Sequence, residues 1–365
     1  MTWQAYSVDT LTGVVQDAIP VSSFGWDRAL SAGRSMTCTI PLDGLDYSKT
    51  DLRALTAHWG RTIVLEHDSK VVAAGLVRNR GYRDRVLTLN LVDLWGLWAR
   101  RGAWGDVPRP ANQELWSISY TNTTLGTLAK RAVQRGTAAF SAPFLLPEPS
   151  LPITLPSDVA GDLSRTYYGY HFEFVADVLD DLMVEGLDVD FRPRWVDGAL
   201  DWEMRTDPAE TTWEWSVTAA KAGVTGFREE SDGSRMVNNA YLIGEGSERD
   251  MLVRSNRDVA SVLPLMDRLE SRKFVTSTTQ AAAMANQLLD QYELPTDSWS
   301  FEVMASGDPD AGVPPVGDLL LGDTVRLGFF GDLWVGDGFH ERRIVRLDGS
   351  LGERVTVTLQ PTGGA

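Results

Sequence analysis

Gly322-Asp323-Thr324-Val325-Arg326-Leu327, close to the C-terminal end, echoes Gly60-Arg61-Thr62-Ile63-Val64-Leu65 near the N-terminal end. A second pair of landmarks follows in the same order. Glu353-Arg354-Val355-Thr356-Val357-Thr358-Leu359 echoes Asp84-Arg85-Val86-Leu87-Thr88-Leu89-Asn90 at its opening triplet. Between the landmarks each copy holds another candidate strand pair, and the C-terminal copy is roughly seven residues longer there. β-strands draw on a narrow alphabet, so one short match means little. Two matches in order read as a duplicated β-module. Strand alternation then sets expectations for individual side chains. Ile63 and Val325, and likewise Leu65 and Leu327, are expected to point inward at equivalent positions. Thr62, Val64, Thr324 and Arg326 are expected on the other face. Val64 is apolar there and should pack on a neighbouring domain or subunit. Arg85 and Arg354 are expected at matching positions on the later strand.

At 365 residues the chain can hold two or three domains, and 43 % hydrophobic with 23 % charged residues is ordinary for a soluble globular protein. No apolar run approaches the roughly 20 residues that span a bilayer. The start, Met1-Thr2-Trp3-Gln4-Ala5, lacks the basic and apolar regions of a signal peptide, so synthesis and first assembly in a cytoplasm are expected. A single cysteine, Cys38, excludes an intramolecular disulfide and a cysteine-based zinc site. Its alternation with Met36 and Ile40 predicts a buried strand position. The net charge of -16 argues against gripping nucleic acid through phosphates. It suits a surface that DNA slides past. Thirteen tryptophans are expected as core or interface anchors.

The pattern along the chain predicts a mixed, β-rich α+β fold in three parts. Residues 1–98 read as short strands of a barrel or sandwich. Thr62 to Glu66 and Val71 to Arg78 flank a hairpin loop at His67-Asp68-Ser69-Lys70. Residues 99–222 read as a mixed α/β insert. Ala139 to Pro156 is expected as a surface excursion. Phe174, Val175, Val178, Leu179, Leu182 and Met183 make a helical apolar stripe closed by Gly186. A hairpin turned by Asp197-Gly198 follows. Residues 223–365 return to β with one helix, opened by a capping box at Ser277 and Gln280 and packing Met284, Leu288 and Tyr292. Asp348-Gly349 reads as a turn before the last strand.

Candidate chemistry is sparse. The chain has no G-x-S-x-G elbow, H-E-x-x-H, P-loop or dinucleotide fingerprint. His58, His67, His171 and His340 are far apart in sequence and read as surface or interface side chains. Asp177, Asp180, Asp181 and Glu185 lie opposite the apolar stripe, as a solvated face does. Asp188 and Asp190 flank Val189 on a strand without the glycine and glutamate of a calcium loop. No catalytic, cofactor-binding or metal residue is assigned, no cofactor is expected, and the chain reads as non-enzymatic.

The block Gly322 to Leu359, with its Arg342-Arg343-Ile344-Val345 strand, resembles the tail hub proteins of long-tailed phages. It is most similar to the Gp37-like minor tail proteins of actinobacterial siphophages, and to the N-terminal hub part of tail-associated lysins. Asn238-Asn239-Ala240-Tyr241-Leu242-Ile243-Gly244 resembles the strand opening the second hub barrel, and Thr278 to Tyr292 the helix before its later strands. Leu94-Trp95-Gly96-Leu97-Trp98-Ala99-Arg100-Arg101 resembles the segment closing the first barrel. The resemblance implies two tail-tube-like β-barrels, at 1–98 and 223–365, with α/β parts between them. It implies a homotrimer at the virion tail tip that joins a six-fold tail tube to a three-fold tip and forms part of the DNA channel. Implied partners are the distal tail protein or tube ring above, the tape measure protein, tip or fibre proteins below, and passing DNA without specific binding. Family peptidases carry their activity in an added C-terminal region, which a chain ending at Ala365 is expected to lack. Two alternatives stand beside this reading. One is a tail-associated hydrolase of cell-wall glycan or peptide; the other is a carbohydrate-binding receptor module stacking sugars on Trp104, Trp116 or Trp213.

Overall fold

The computed structural model describes residues 2–44, 48–103, 117–137, 150–171, 173–208, 211–219, 221–272 and 275–361. Trp104, Trp116 and most of the proline-rich stretch from Ala139 lie outside them. The chain divides into two compact units. One comprises Met1–Gly226 with Phe301–Leu359, the other Phe227–Ser300 with Gln360–Ala365.

One arrangement of strands occurs twice in the chain, and strands of the second copy, among them Val224–Asp232 and Thr296–Met304, run past the limits of the first unit. Arg61–His67 turns into Lys70–Arg83 through Asp68 and Ser69, whose φ values of 47° and 67° give the doubly left-handed turn that matches strand twist. Lys70–Arg83 pairs with Val86–Val92, that strand with Ser35–Pro41, and that one with Ser23–Ala29. The C-terminal set runs Thr324–Phe329, Gly338–Gly349, Arg354–Pro361, Thr296–Met304 and Val224–Asp232, neighbours in that order. Chain order and spatial order are permuted identically in the two sets. The repeat read from two short motifs thus extends over five strands. At the outer edge the sets differ. Trp3–Asp9 runs antiparallel to Arg61–His67, whereas Thr212–Ser216 runs parallel to Thr324–Phe329.

The two sets, expected as separate barrels, are hydrogen-bonded into one 13-stranded sheet. The cause is the length of Gly338–Gly349. Its first half pairs with Thr324–Phe329, and its second half pairs Arg346 to Gly349 with Ala29 to Trp26 of the other set. Asp348 and Gly349 are therefore strand residues and not the expected turn. A Cβ at position 349 would stand 3.0 Å from the Trp26 indole, so a larger residue there would require the indole to shift.

Alternation holds at the first landmark. Ile63, Leu65, Val325 and Leu327 are fully buried, and Thr324 and Arg326 are half-buried on the opposite face. Val64 is also fully buried, in a core shared with Leu128, Leu179 and Trp202 of the insert, as its apolar character required. Thr62 beside it is buried too, with Oγ1 3.0 Å from Thr10 Oγ1. The second landmark is out of phase by one residue. Leu87, Leu89 and Leu91 are buried in one strand, and Val355, Val357 and Leu359 in the other. Arg85 sits in a turn at φ 61°, paired with Asp43, while Arg354 opens a strand and pairs with Glu302. The two arginines do not match, because a one-residue slip exchanges the faces of a strand.

The insert packs Leu125–Thr137 against Val175–Val184, which buries Val175, Val178, Leu179 and Leu182 of the expected stripe, while Met183 is half-buried and Phe174, at the helix cap, is exposed. Gly186 closes that helix at φ 101°, where a side chain would be strained. The hairpin of Val189–Val196 and Ala199–Thr206 turns at Asp197-Gly198, both at positive φ. In the second unit Asn239–Ile243 lies between Val253–Arg257 and Asp267–Ser271. It belongs to this separate three-stranded sheet and not to the second strand set that its sequence resembles. Thr278–Tyr292 starts at a Ser277 cap and buries Ala281, Ala285, Leu288 and Leu289, so small alanines share the expected stripe.

Candidate functional site

The residues searched for chemistry are not brought together. His58 is exposed, with Nδ1 3.1 Å from the Arg78 carbonyl. His171 is exposed 3.7 Å from Glu173, and His340 Nε2 lies 2.8 Å from the Gly336 carbonyl. His67 corrects the surface expectation. It is 3 % exposed, with its ring centroid 4.4 Å from that of Trp3, and burial holds its imidazole below the usual value. Positions 63, 65 and 67 share one face, so its burial follows from the strand phase. Asp177 and Asp180 are exposed, whereas Glu185 departs from the solvated-face expectation by gripping Arg165 at 2.6 and 2.9 Å. Among the described residues no group of three or more His, Cys, Asp or Glu could hold a metal ion. Cys38 is buried in the first unit, and desolvation pushes its thiol up to about 12. Trp213, offered above as a stacking platform, is half-buried and donates from Nε1 to Asp323 at 3.0 Å.

What the first unit does assemble is a charged seam where the insert hairpin meets both strand sets. Asp190 is 3 % exposed and stands between Arg205, at 3.1 Å, and Arg28, at 3.7 Å. Arg205 also donates to the Leu321 carbonyl at 3.1 Å, and Arg28 to the Val72 carbonyl at 3.4 Å. Two residues earlier, Asp188 pairs with Arg343 and accepts from Ser31 at 3.1 Å. Ser31 closes the contact by exchanging backbone and hydroxyl bonds with Val189 at 2.9 and 3.0 Å. Arg28 and Ser31 come from the N-terminal set, Arg343 from the C-terminal set, and Leu321 from just before it. One strand segment of the insert therefore bolts the two repeats together. Asp27 and Arg346 add a direct cross-link between the sets at 2.9 Å.

These carboxylates are matched by guanidinium groups, which suits a fixed joint better than acid–base work. The cavity beside them, lined by Asp27, Asp93 and Asp190 among others, measures about 20 Å³, room for a single water rather than a substrate. Asp93 caps the short helix Leu94–Trp98 and accepts from the backbone N–H groups of Arg34 at 2.7 Å and Trp95 at 3.1 Å. Burial nevertheless pushes its carboxyl up to about 7. The folded chain thus holds this proton more tightly than the unfolded chain, where the value is about 3.9. The stability it contributes is full below that unfolded value and is lost as pH rises through about 7. Urea unfolding should show the wild type losing stability between pH 5 and pH 8 by more than Asp93→Asn does. Equal losses would mean that Asp93 is ionised at both pH values.

The seam's aspartates were visible in the sequence, but their arginine partners were not. Asp190 and Arg28 are 162 positions apart on strands of two different sheets, and only the packing of the insert hairpin brings them together.

No protein-family model matches the chain, and no curated protein sequence does. Solved structures share its fold end to end. The 43 kDa tail protein of prophage MuSo2 from Shewanella oneidensis aligns with a TM-score of 0.58 at 11 % identity, over 99 % of this chain and 98 % of that one. A tail protein from Neisseria meningitidis MC58 aligns at 0.57 and 14 %, over 100 % and 98 %. The E. coli type VI secretion component c3393, described as similar in structure to the T4 tail proteins gp27 and gp5, aligns at 0.51 and 11 %, over 100 % and 77 %. The chain has the fold of these tail proteins.

Proposed function

We propose that this chain is a structural, non-enzymatic hub protein of a phage tail tip or baseplate. It joins the six-fold tail tube to a three-fold tip and lines part of the DNA channel. The observation that carries the reading is the five-strand arrangement present twice in one chain. A trimer of such a chain presents six similar strand sets to a six-fold ring, and three subunits to whatever lies below. The modules are 1–98 and 223–365, tail-tube-like barrels completed in the assembly, with 99–222 as the insert between them. The shared fold with prophage tail proteins supports the reading, and the seam at Asp188 and Asp190 suits a subunit whose two halves must hold a fixed angle. The resemblance to Gp37-like minor tail proteins makes a siphophage tail the natural setting. Its neighbours there are the distal tail protein or tube ring, the tape measure protein, and tip or fibre proteins. The acidic balance of -16 suits a wall along which DNA passes unbound.

Cryo-EM of the assembled tail tests the reading. Three copies are expected, each interface burying on the order of 2,000 Å² as permanent assemblies do, around a lumen whose facing side chains are net negative. A ring of six copies, or a lumen lined mainly by Lys and Arg, would overturn it. Zymography on host peptidoglycan addresses the hydrolase alternative, and clearing by the purified chain would likewise count against a structural role.

A further inference from the structure

The two repeats end their first hairpins differently. The N-terminal hairpin closes with the two polar residues Asp68 and Ser69. The C-terminal one extends into Phe330-Gly331-Asp332-Leu333-Trp334-Val335-Gly336-Asp337, which holds most of the extra length of that repeat. This tip is ordered by its own bonds. Asp332 Oδ1 accepts from the backbone N–H groups of Trp334 and Val335, both at 2.8 Å, and Asp337 accepts from Gly331 at 2.7 Å. Phe330 and Phe339 brace its base edge to face, 6.0 Å apart. The result is a rigid knob with Leu333 fully exposed and Trp334 83 % exposed. A fixed loop that holds leucine and tryptophan in water is shaped for a partner.

The same unit carries a socket on its other repeat. Leu42, Leu52, Leu87 and Tyr82, with Arg53 and Arg80, line a groove of about 560 Å³ between the helix Lys49–Leu55 and the strands Lys70–Arg83 and Val86–Val92. That volume lies within the roughly 300–1,000 Å³ typical of binding clefts. The charges are complementary. The knob from Phe330 to Gly338 has two aspartates and no basic residue. Among the described residues the groove is lined by two arginines and no carboxylate. Trp334 is exposed in the single chain, so the knob does not fill the chain's own groove.

We infer that the Leu333–Trp334 knob of one copy seats in the Leu42–Leu52–Leu87 groove of a second copy. The indole enters among the leucines beside Tyr82, and the two aspartates face Arg53 and Arg80. Knob and groove are different surfaces, so the contact is heterologous and runs head to tail, closing into a ring when the rotation allows. Closure at three copies rests on the hub reading above; the contact itself does not.

Mixed-cysteine cross-linking of the full-length chain tests it. Leu333→Cys and Tyr82→Cys chains are purified separately, mixed at high concentration and oxidised, with buried Cys38 as a silent background. Disulfide-linked dimers are expected from the mixture and from neither variant alone. Trp334→Ala, at an exposed position that leaves the fold intact, should weaken self-association in sedimentation equilibrium by about tenfold or more, as loss of an aromatic anchor does. No cross-link in the mixture would overturn the inference. So would cross-linked dimers of Leu333→Cys alone, or unchanged association of Trp334→Ala, which would assign the knob to a different tail protein. Cross-links without three-copy rings in the tail would sink the hub reading and keep the contact. Three-copy rings without cross-links would do the reverse.

Discussion

Asp190→Ala should lower the stability of the chain by about 3–5 kcal/mol, the cost of leaving buried cations without their partner. Asp190 is 3 % exposed, and its carboxylate is the shared counter-charge of Arg205 at 3.1 Å and Arg28 at 3.7 Å. Burial already pulls the Arg28 pKa down, with Asp190 opposing that effect. Without the carboxylate both guanidinium groups stay desolvated and repel each other. The remedy is therefore to remove the cations as well. Asp190→Ala combined with Arg28→Met and Arg205→Met should recover much of the loss, because apolar groups of similar volume replace a buried ion cluster at little cost. Urea unfolding followed by tryptophan fluorescence measures this, with Trp202 in the adjoining core as a reporter. The loss should persist at high salt, since ions do not reach a buried pair. If Asp190→Ala costs no more than removing the exposed partner Asp84 of Arg83, the seam is not what fixes the insert hairpin to the two strand sets.

Local signals made the elements legible, and distant pairings hid their assembly. Val178, Leu179 and Leu182 announce a helix at its own spacing, and Asp197-Gly198 announces a hairpin because few other residues accept two positive φ values. Ile63, Leu65, Val325 and Leu327 reveal a buried face by alternation alone. Nothing local tells that Arg346 will pair with Ala29, because residues so distant share no pattern. The merging of two strand sets into one sheet was therefore out of reach. Asp348-Gly349 misled for the opposite reason. The dipeptide has the composition of a turn, but both residues lie in a strand, paired with Asp27 and Trp26. The second landmark failed on phase, since Arg85 and Arg354 match as letters while their strands differ by one residue in the face they bury. As for the candidate interface, the apolar tip at Leu333 and Trp334 was present in the sequence. Its exposure was not, because a tryptophan between two strands reads as core until the turn is placed.

Leu327→Ala should destabilise the chain by roughly 2–5 kcal/mol, and Thr324→Ala on the same strand by well under 1 kcal/mol. Leu327 has no exposed surface, and its strand is flanked on both sides. It lies opposite Trp215 on the parallel neighbour and His340 on the antiparallel one. Truncation leaves a void that paired backbones cannot collapse to fill, so the cavity adds to the lost burial. Thr324 is half-buried at the strand's entry, and its main-chain bond to the Thr211 carbonyl survives the substitution. Arg326, on the same outer face, is held by Glu214 at 2.7 Å and Glu341 at 3.3 Å, which marks that face as polar. Leu65→Ala should fall in the same range as Leu327→Ala, since Leu65 occupies the corresponding seat between Trp3–Asp9 and Lys70–Arg83 and is equally buried. Val64→Ala separates the repeats. Its position corresponds to Arg326, yet Val64 has no exposed surface and packs into the insert core, so its truncation should cost about 1–3 kcal/mol. Chemical unfolding of the four variants decides the matter. A Leu327→Ala loss no larger than that of Thr324→Ala would mean the inward face has been misassigned. A negligible loss for Val64→Ala would mean that the insert does not rest on the first repeat through this side chain.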